Sequence, residues 1–275
     1  MDYFKKLFKF SLALSKKYKE HHITAFSAQM AYFFTLSIFP FLIVIISLFG
    51  KLSMKYYFKL DFIFNVVPKE ASEIIRNYIS DLFLVNTTTL VPLTIIFALW
   101  SASKGVNSLM RSLNIAYDVK ETRSFIKIKL LGMAYTAMIS ISLVIAIVIP
   151  SIGKSVLDIF ESILEIPNFL LVIIKWSFYI VSINFVISSL YVLLPNKKVT
   201  FKSVMPGTIF AILGWFIISK GFSLFATNFH NFSLIYGSLT AIIILMIWLY
   251  ISSMILMVGG EINAIDFKKE FMEIK

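Results

Sequence analysis

Five polar side chains stand out by their position beside or within long apolar runs: Gln29, Asn184, Ser188, Lys220 and Glu261. In hydrocarbon such groups are costly unless bonded. They act either as glue between helices or as contacts for something that passes or binds. Ser177, Asn184, Ser188 and Tyr191 share one helical face of a single run. They read as interhelical hydrogen bonding, with a polar lining as the alternative. Lys220 reads as a side chain reaching back to the interface; if its helix continues past it, the ammonium becomes a contact for a substrate anion. Glu261 follows Gly259-Gly260. It reads as a solvated end charge or as the partner of a cation such as Arg111. Gln29 reads as a packing amide.

The usual catalytic sets are missing. The chain has no Cys, and its three His are His21, His22 and His230. No HExxH pattern, phosphate-cradling glycine loop or G-x-S-x-G elbow occurs in the sequence. Catalytic residues, metal ligands and cofactors are therefore expected to be none. His230 would be the one available base for a hidden serine site, so hydrolase or nuclease ranks last among the readings. Carboxylates occur only at the ends of the apolar runs, whereas ion-coupled transporters commonly carry one inside a span.

These residues need helices in a membrane to position them. The 275 residues are 59% hydrophobic and 15% charged, against ~45–50% and ~25% in soluble domains. The mean hydropathy is +0.85. Runs free of Asp, Glu, Lys and Arg suit spans of ~20 residues. They place six helices at about 28–50, 82–103, 130–153, 176–196, 203–219 and 234–258. A polar turn near 227–233, with Asn228, His230 and Asn231, splits the last run. The fold class is all-α, a polytopic six-helix transmembrane bundle with amphipathic interfacial helices. Its parts are a basic helix in 1–27, the transmembrane domain in 28–260 and a tail in 261–275.

Charge orients the bundle. Of the 26 Lys and Arg, 18 fall on the side of the two termini and 8 on the other, while the acids split 8 to 7. Excess cations mark the cytoplasmic side, so both termini are expected there. The first apolar run is too long for a signal-peptide core and no small-residue cleavage pattern follows it, so it reads as an uncleaved span.

Residues 3–19 read as an amphipathic helix. Phe4, Leu7, Phe8, Leu12, Leu14 and Tyr18 fall on one arc, and Lys5, Lys6, Lys9, Lys16 and Lys17 on the other. Such a helix lies in the interface among anionic headgroups. Its partners are therefore membrane lipids, and nucleic acid is not expected. Two further amphipathic helices are predicted at 68–83 and 156–165. Small residues four apart, Ser101/Gly105, Gly132/Thr136/Ser140, Gly207/Ala211 and Gly237/Ala241, suit close helix packing.

Several runs are similar to a known family. Ala28-Gln29-Met30-Ala31-Tyr32-Phe33 is followed by Leu36-Ser37-Ile38-Phe39-Pro40. Trp100-Ser101-Ala102-Ser103-Lys104-Gly105 continues to Leu113-Asn114-Ile115-Ala116-Tyr117. Leu194-Pro195-Asn196 precedes Pro206-Gly207, and Ile235-Tyr236-Gly237-Ser238-Leu239, Trp248-Leu249-Tyr250 and Gly259-Gly260-Glu261-Ile262-Asn263-Ala264 follow. In order and spacing these resemble the YihY/BrkB family of bacterial membrane proteins, which once carried a ribonuclease BN label. The resemblance implies a multi-pass protein of the bacterial cytoplasmic membrane and no settled activity. The expected function is to move or organise an envelope lipid or other amphiphile. The alternative is a scaffold without transport.

Overall fold

The computed structural model describes residues 2–50, 91–142, 168–227 and 239–265. Among these the chain forms seven helices and no strand. They are α1 (Asp2–Glu20), α2 (Ile23–Gly50), α3 (Val91–Ala116), α4 (Phe125–Ser142), α5 (Asn168–Leu193), α6 (Phe201–Thr227) and α7 (Leu239–Ala264). The expected segments 68–83 and 156–165, the turn with His230, and the tail beyond 265 lie outside the described residues.

α1 closely matches the amphipathic segment read from lysine and apolar spacing. It ends where His22 takes a left-handed backbone, φ 51°. That conformation costs about 1–2 kcal/mol for a residue with a Cβ, and it lets α2 begin at once, at Ile23.

The helices overrun the charge-free runs at several points. α3 continues through Lys104 and Gly105 to Ala116, beyond the charge-free run that ends at 103. The physical reason is packing. Gly105 meets the Phe34 ring and the Met30 carbonyl of α2, and Val106, Leu109, Met110 and Leu113 are buried on the same helix. α5 begins at Asn168, ahead of the charge-free run that starts at 176, and α6 runs past Lys220 to Thr227. Charges within a helix do not end it when their long stems can carry them to a wetter level.

By length and composition, three helices could cross a membrane: Phe125–Ser142, Phe201–Phe222 and Ile242–Ala264. The described residues add two shorter apolar helical stretches, Ile23–Ile38 and Tyr179–Leu193. Six spans are thus not counted among the described residues.

α2 and α3 make the most extensive pairing, and α7 packs against α1, α2, α3 and α6. The core comprises Ile23, Met30, Leu109, Met110, Leu113, Tyr191, Leu194, Val204 and Met257. Leu93, Ile96, Ile173, Val181 and Ile217 are exposed on the outside. Such an apolar exterior suits helices solvated by lipid.

Small residues set the helix separations, as their spacing suggests. A Cβ on Gly132 of α4 would strike Asn107 of α3. One on Gly207 of α6 would strike the Gly259 carbonyl of α7. Gly237 lies outside the described residues.

Candidate functional site

Polar groups gather at the end of the bundle where α1 meets α7. Glu261 lies on α7 with a fully buried side chain, 0% exposed. Its Oε1 accepts a hydrogen bond from His21 Nδ1 at 2.6 Å. The Lys17 ammonium, one turn earlier on α1, adds a further positive charge to these surroundings. Tyr18 makes a second tie between the same helices, its hydroxyl donating to Met254 Sδ at 3.3 Å. Glu261 Oε2 has no hydrogen-bond partner among the described residues. A buried carboxylate must be paired, because removing its partner leaves an uncompensated charge.

The glycines before Glu261 explain how it becomes buried. A Cβ at Gly259 would meet the Tyr191 hydroxyl of α5 and, at 2.7 Å, the Gly207 carbonyl of α6. A Cβ at Gly260 would meet the Leu113 side chain of α3. Three helices therefore close on α7 at the two residues just ahead of the acid. Tyr191 donates to the Leu256 carbonyl at 2.6 Å, and Asn263 Oδ1 accepts from the Gly207 N–H at 2.7 Å. Pro206, in the second turn of α6, supplies no N–H of its own.

A second cluster joins the α3–α4 connection to the α5–α6 connection. Asn114 Nδ2 donates to Glu121 Oε2 at 2.8 Å, and Asn114 Oδ1 accepts from the Asn196 N–H at 2.7 Å. Arg123 grips Glu121 through two guanidinium nitrogens at 2.7 and 2.6 Å and also donates to the Leu194 carbonyl. Asn196 Nδ2 closes the loop onto Thr122 Oγ1 and the Lys120 carbonyl. The hydrogen bonds from Arg123 hold the Glu121 carboxyl down to about 2, against the opposing effect of burial. Nearby, burial pushes the Tyr117 phenol up to about 12, while Lys197 places its ammonium over that ring.

The singled-out residues are not gathered in one place. Ser188 is buried and bonds Thr208 of α6 at 3.2 Å, with Asn184 Oδ1 accepting from Ser188 Oγ at 3.4 Å. Ser177, on the same run, is exposed. Gln29 is exposed, but its Oε1 accepts from Ser108 Oγ of α3 at 3.1 Å. Lys220 is exposed partway along α6. Glu261 is neither solvated nor paired with Arg111, which is exposed; its partner is His21. Sequence reasoning missed His21, Asn114, Glu121, Arg123 and Asn263 as structural partners. The resemblance motifs contained Asn114 and Asn263, and also Asn196, which bonds Asn114, so a signal for these amides existed. Among the described residues no group of three or more His, Cys, Asp or Glu could hold a metal ion.

Comparisons with known proteins agree with this picture of a membrane bundle. The chain is 36% identical over 273 residues to a putative ribonuclease-like protein, YfkH, of Bacillus subtilis (strain 168), covering 98% of this chain and 97% of that one. It is 28% identical over 261 residues to the UPF0761 membrane protein VV0203 of Vibrio vulnificus (strain YJ016), covering 86% and 76%. It is 27% identical over 267 residues to a UPF0761 membrane protein of Vibrio atlanticus (strain LGP32), covering 93% and 81%. No solved structure matches. The family model described as Virulence factor BrkB matches residues 14–270. This chain, a membrane protein built of apolar helices closed over a buried Glu261, belongs to the BrkB family.

Proposed function

We propose that this protein crosses the bacterial cytoplasmic membrane six times with both ends in the cytoplasm, and that it moves or organises an amphiphile of the cell envelope. The observation that carries this reading is the attachment of α1. His21 and Tyr18 tie the carboxyl end of α1 to α7, while Phe8 and Leu12 further along it are 63% and 55% exposed. A lysine-rich helix held at one end, with apolar side chains free of the bundle, is suited to lie among anionic headgroups. It would bring headgroups beside the ends of α2 and α7.

The second reading, a membrane scaffold, is favoured by a different observation. Ser188 and Tyr191 of α5 spend their hydroxyls on α6 and α7 rather than on an open channel. Reconstitution separates the two. Proteoliposomes of the full chain with fluorescent phosphatidylglycerol in both leaflets are exposed to dithionite. Bleaching of the inner-leaflet probe supports lipid movement. Retention of that probe, with unchanged envelope lipid composition on depletion in cells, rejects the first reading in favour of the scaffold.

A further inference from the structure

We infer that Lys104 of α3 and Lys129 of α4 form, around the Trp100 indole, a binding site for the phosphate of an anionic glycerophospholipid. The inference concerns a second place on the molecule, away from α1, and holds whether or not the protein moves lipid.

The two ammonium groups converge on one ring. Lys104 Nζ lies 3.8 Å from the centroid of the Trp100 indole, and Lys129 Nζ lies 4.9 Å from it. Lys104 also stands 5.1 Å from the Phe33 ring of α2, and Lys129 stands 5.9 Å from the Phe125 ring of α4. Neither ammonium has a carboxylate partner among the described residues. Both ammonium groups thus lie against one indole and carry the same sign, and cation–π attraction is the interaction that each of them makes there. A phosphate beside the indole, within reach of both flexible side chains, would add two charge-assisted contacts.

The packing of three helices fixes the level of the site. Gly132 sits against Asn107 and the Ser103 carbonyl, which sets the start of α4 beside this part of α3. Gly105 sits against Met30 and Phe34, which brings α2 to the same level. Lys104 immediately follows the charge-free run 82–103, and Lys129 immediately precedes the run 130–153. Both cations therefore stand where hydrocarbon-compatible sequence begins. That is the level at which Trp collects in membrane proteins.

Apolar surface for acyl chains adjoins the charges. Trp100 is 36% exposed, with Phe97 6.2 Å from it, ring to ring. Ile96 and Phe97 on α3, and Phe125, Ile126 and Leu130 flanking Lys129 on α4, are exposed. A soluble anion would use the two lysines alone, whereas a glycerophospholipid uses the lysines and this surface together.

The test titrates full-length protein in detergent with dioleoylphosphatidylglycerol and counts bound lipids by native mass spectrometry. Dioleoylphosphatidylcholine serves as the neutral comparison. One phosphatidylglycerol equivalent should weaken about 5-fold in Lys129→Gln and about 30-fold in Lys104→Gln/Lys129→Gln. Lys104→Arg/Lys129→Arg and Lys197→Gln should bind as the native chain does. If the double glutamine variant loses its monodisperse elution, Lys129→Gln carries the test alone. Unchanged phosphatidylglycerol binding in the glutamine variants overturns the proposal. So does displacement of that lipid by micromolar inorganic phosphate, which would make the site one for a soluble anion.

Discussion

His21 Nδ1 stands 2.6 Å from Glu261 Oε1, across 240 positions of sequence. One residue ends the N-terminal helix; the other follows the glycine pair of the last. The bond fastens the two ends of the chain together, and it does so around a fully buried carboxylate. Breaking it from the histidine side should therefore cost more than an ordinary surface contact. His21→Ala is expected to destabilise the purified protein by about 3–5 kcal/mol. His21→Ala/Glu261→Gln should recover part of this, because a neutral amide needs no compensating charge. Thermal unfolding followed by tryptophan fluorescence gives the coupling, and strict additivity would contradict it.

The neighbouring His22 behaves oppositely. Its side chain is exposed and its backbone is left-handed, φ 51°. His22→Gly should leave melting unchanged or raise it by a few tenths of a kcal/mol, since glycine adopts this conformation without penalty.

Gly259→Ala tests the crossing of α5, α6 and α7. The new methyl would collide with the Tyr191 hydroxyl and the Gly207 carbonyl, the latter being backbone that cannot swing aside. A loss of about 1–3 kcal/mol follows from overpacking. Gly221→Ala, which meets nothing within 4 Å and lies inside α6, should be neutral or stabilising by up to ~1 kcal/mol in the same unfolding assay.

The loop cluster gives a pH signature. The Glu121 carboxyl is depressed to about 2, first by the side-chain hydrogen bond from Arg123. A depressed carboxyl contributes stability that is present above its ordinary range near ~4.3 and is lost as pH falls towards its folded value. Acid unfolding measured between pH 5 and pH 2 should therefore include a component that Glu121→Gln removes. Arg123→Gln should move that loss to higher pH. Identical acid profiles for the native chain and Glu121→Gln would rule the linkage out.

The threading is tested by fusing alkaline phosphatase to each terminus in turn. Both fusions should be inactive in growing cells, and fluorescent protein at the same positions should be bright. An active phosphatase at either end would reverse the orientation drawn from the cation bias.

Much of the local structure was legible. The 3.6-residue alternation of lysine and apolar residues locates α1 to within a residue at each end, because an amphipathic arc is a purely local pattern. Gly105, Gly132 and Gly207 were readable as close-packing positions, though not which helix each would meet. The reach of α3 beyond the charge-free run was not legible. Lys104 looks like a boundary when charge is counted along the chain, yet the helix continues because Met110 and Leu113 are buried beyond it.

Sequence by itself determined that this is a membrane protein of apolar helices and where most of the apolar runs lie; these are additive properties of residues and their spacing. Tertiary structure alone decided that Glu261 is buried, that His21 rather than Arg111 meets it, and that Lys104 and Lys129 share one indole. The reason is that such pairings depend on distances between segments far apart in the chain. Those distances are set by helix crossings at Gly207, Gly259 and Gly132, which no local pattern encodes.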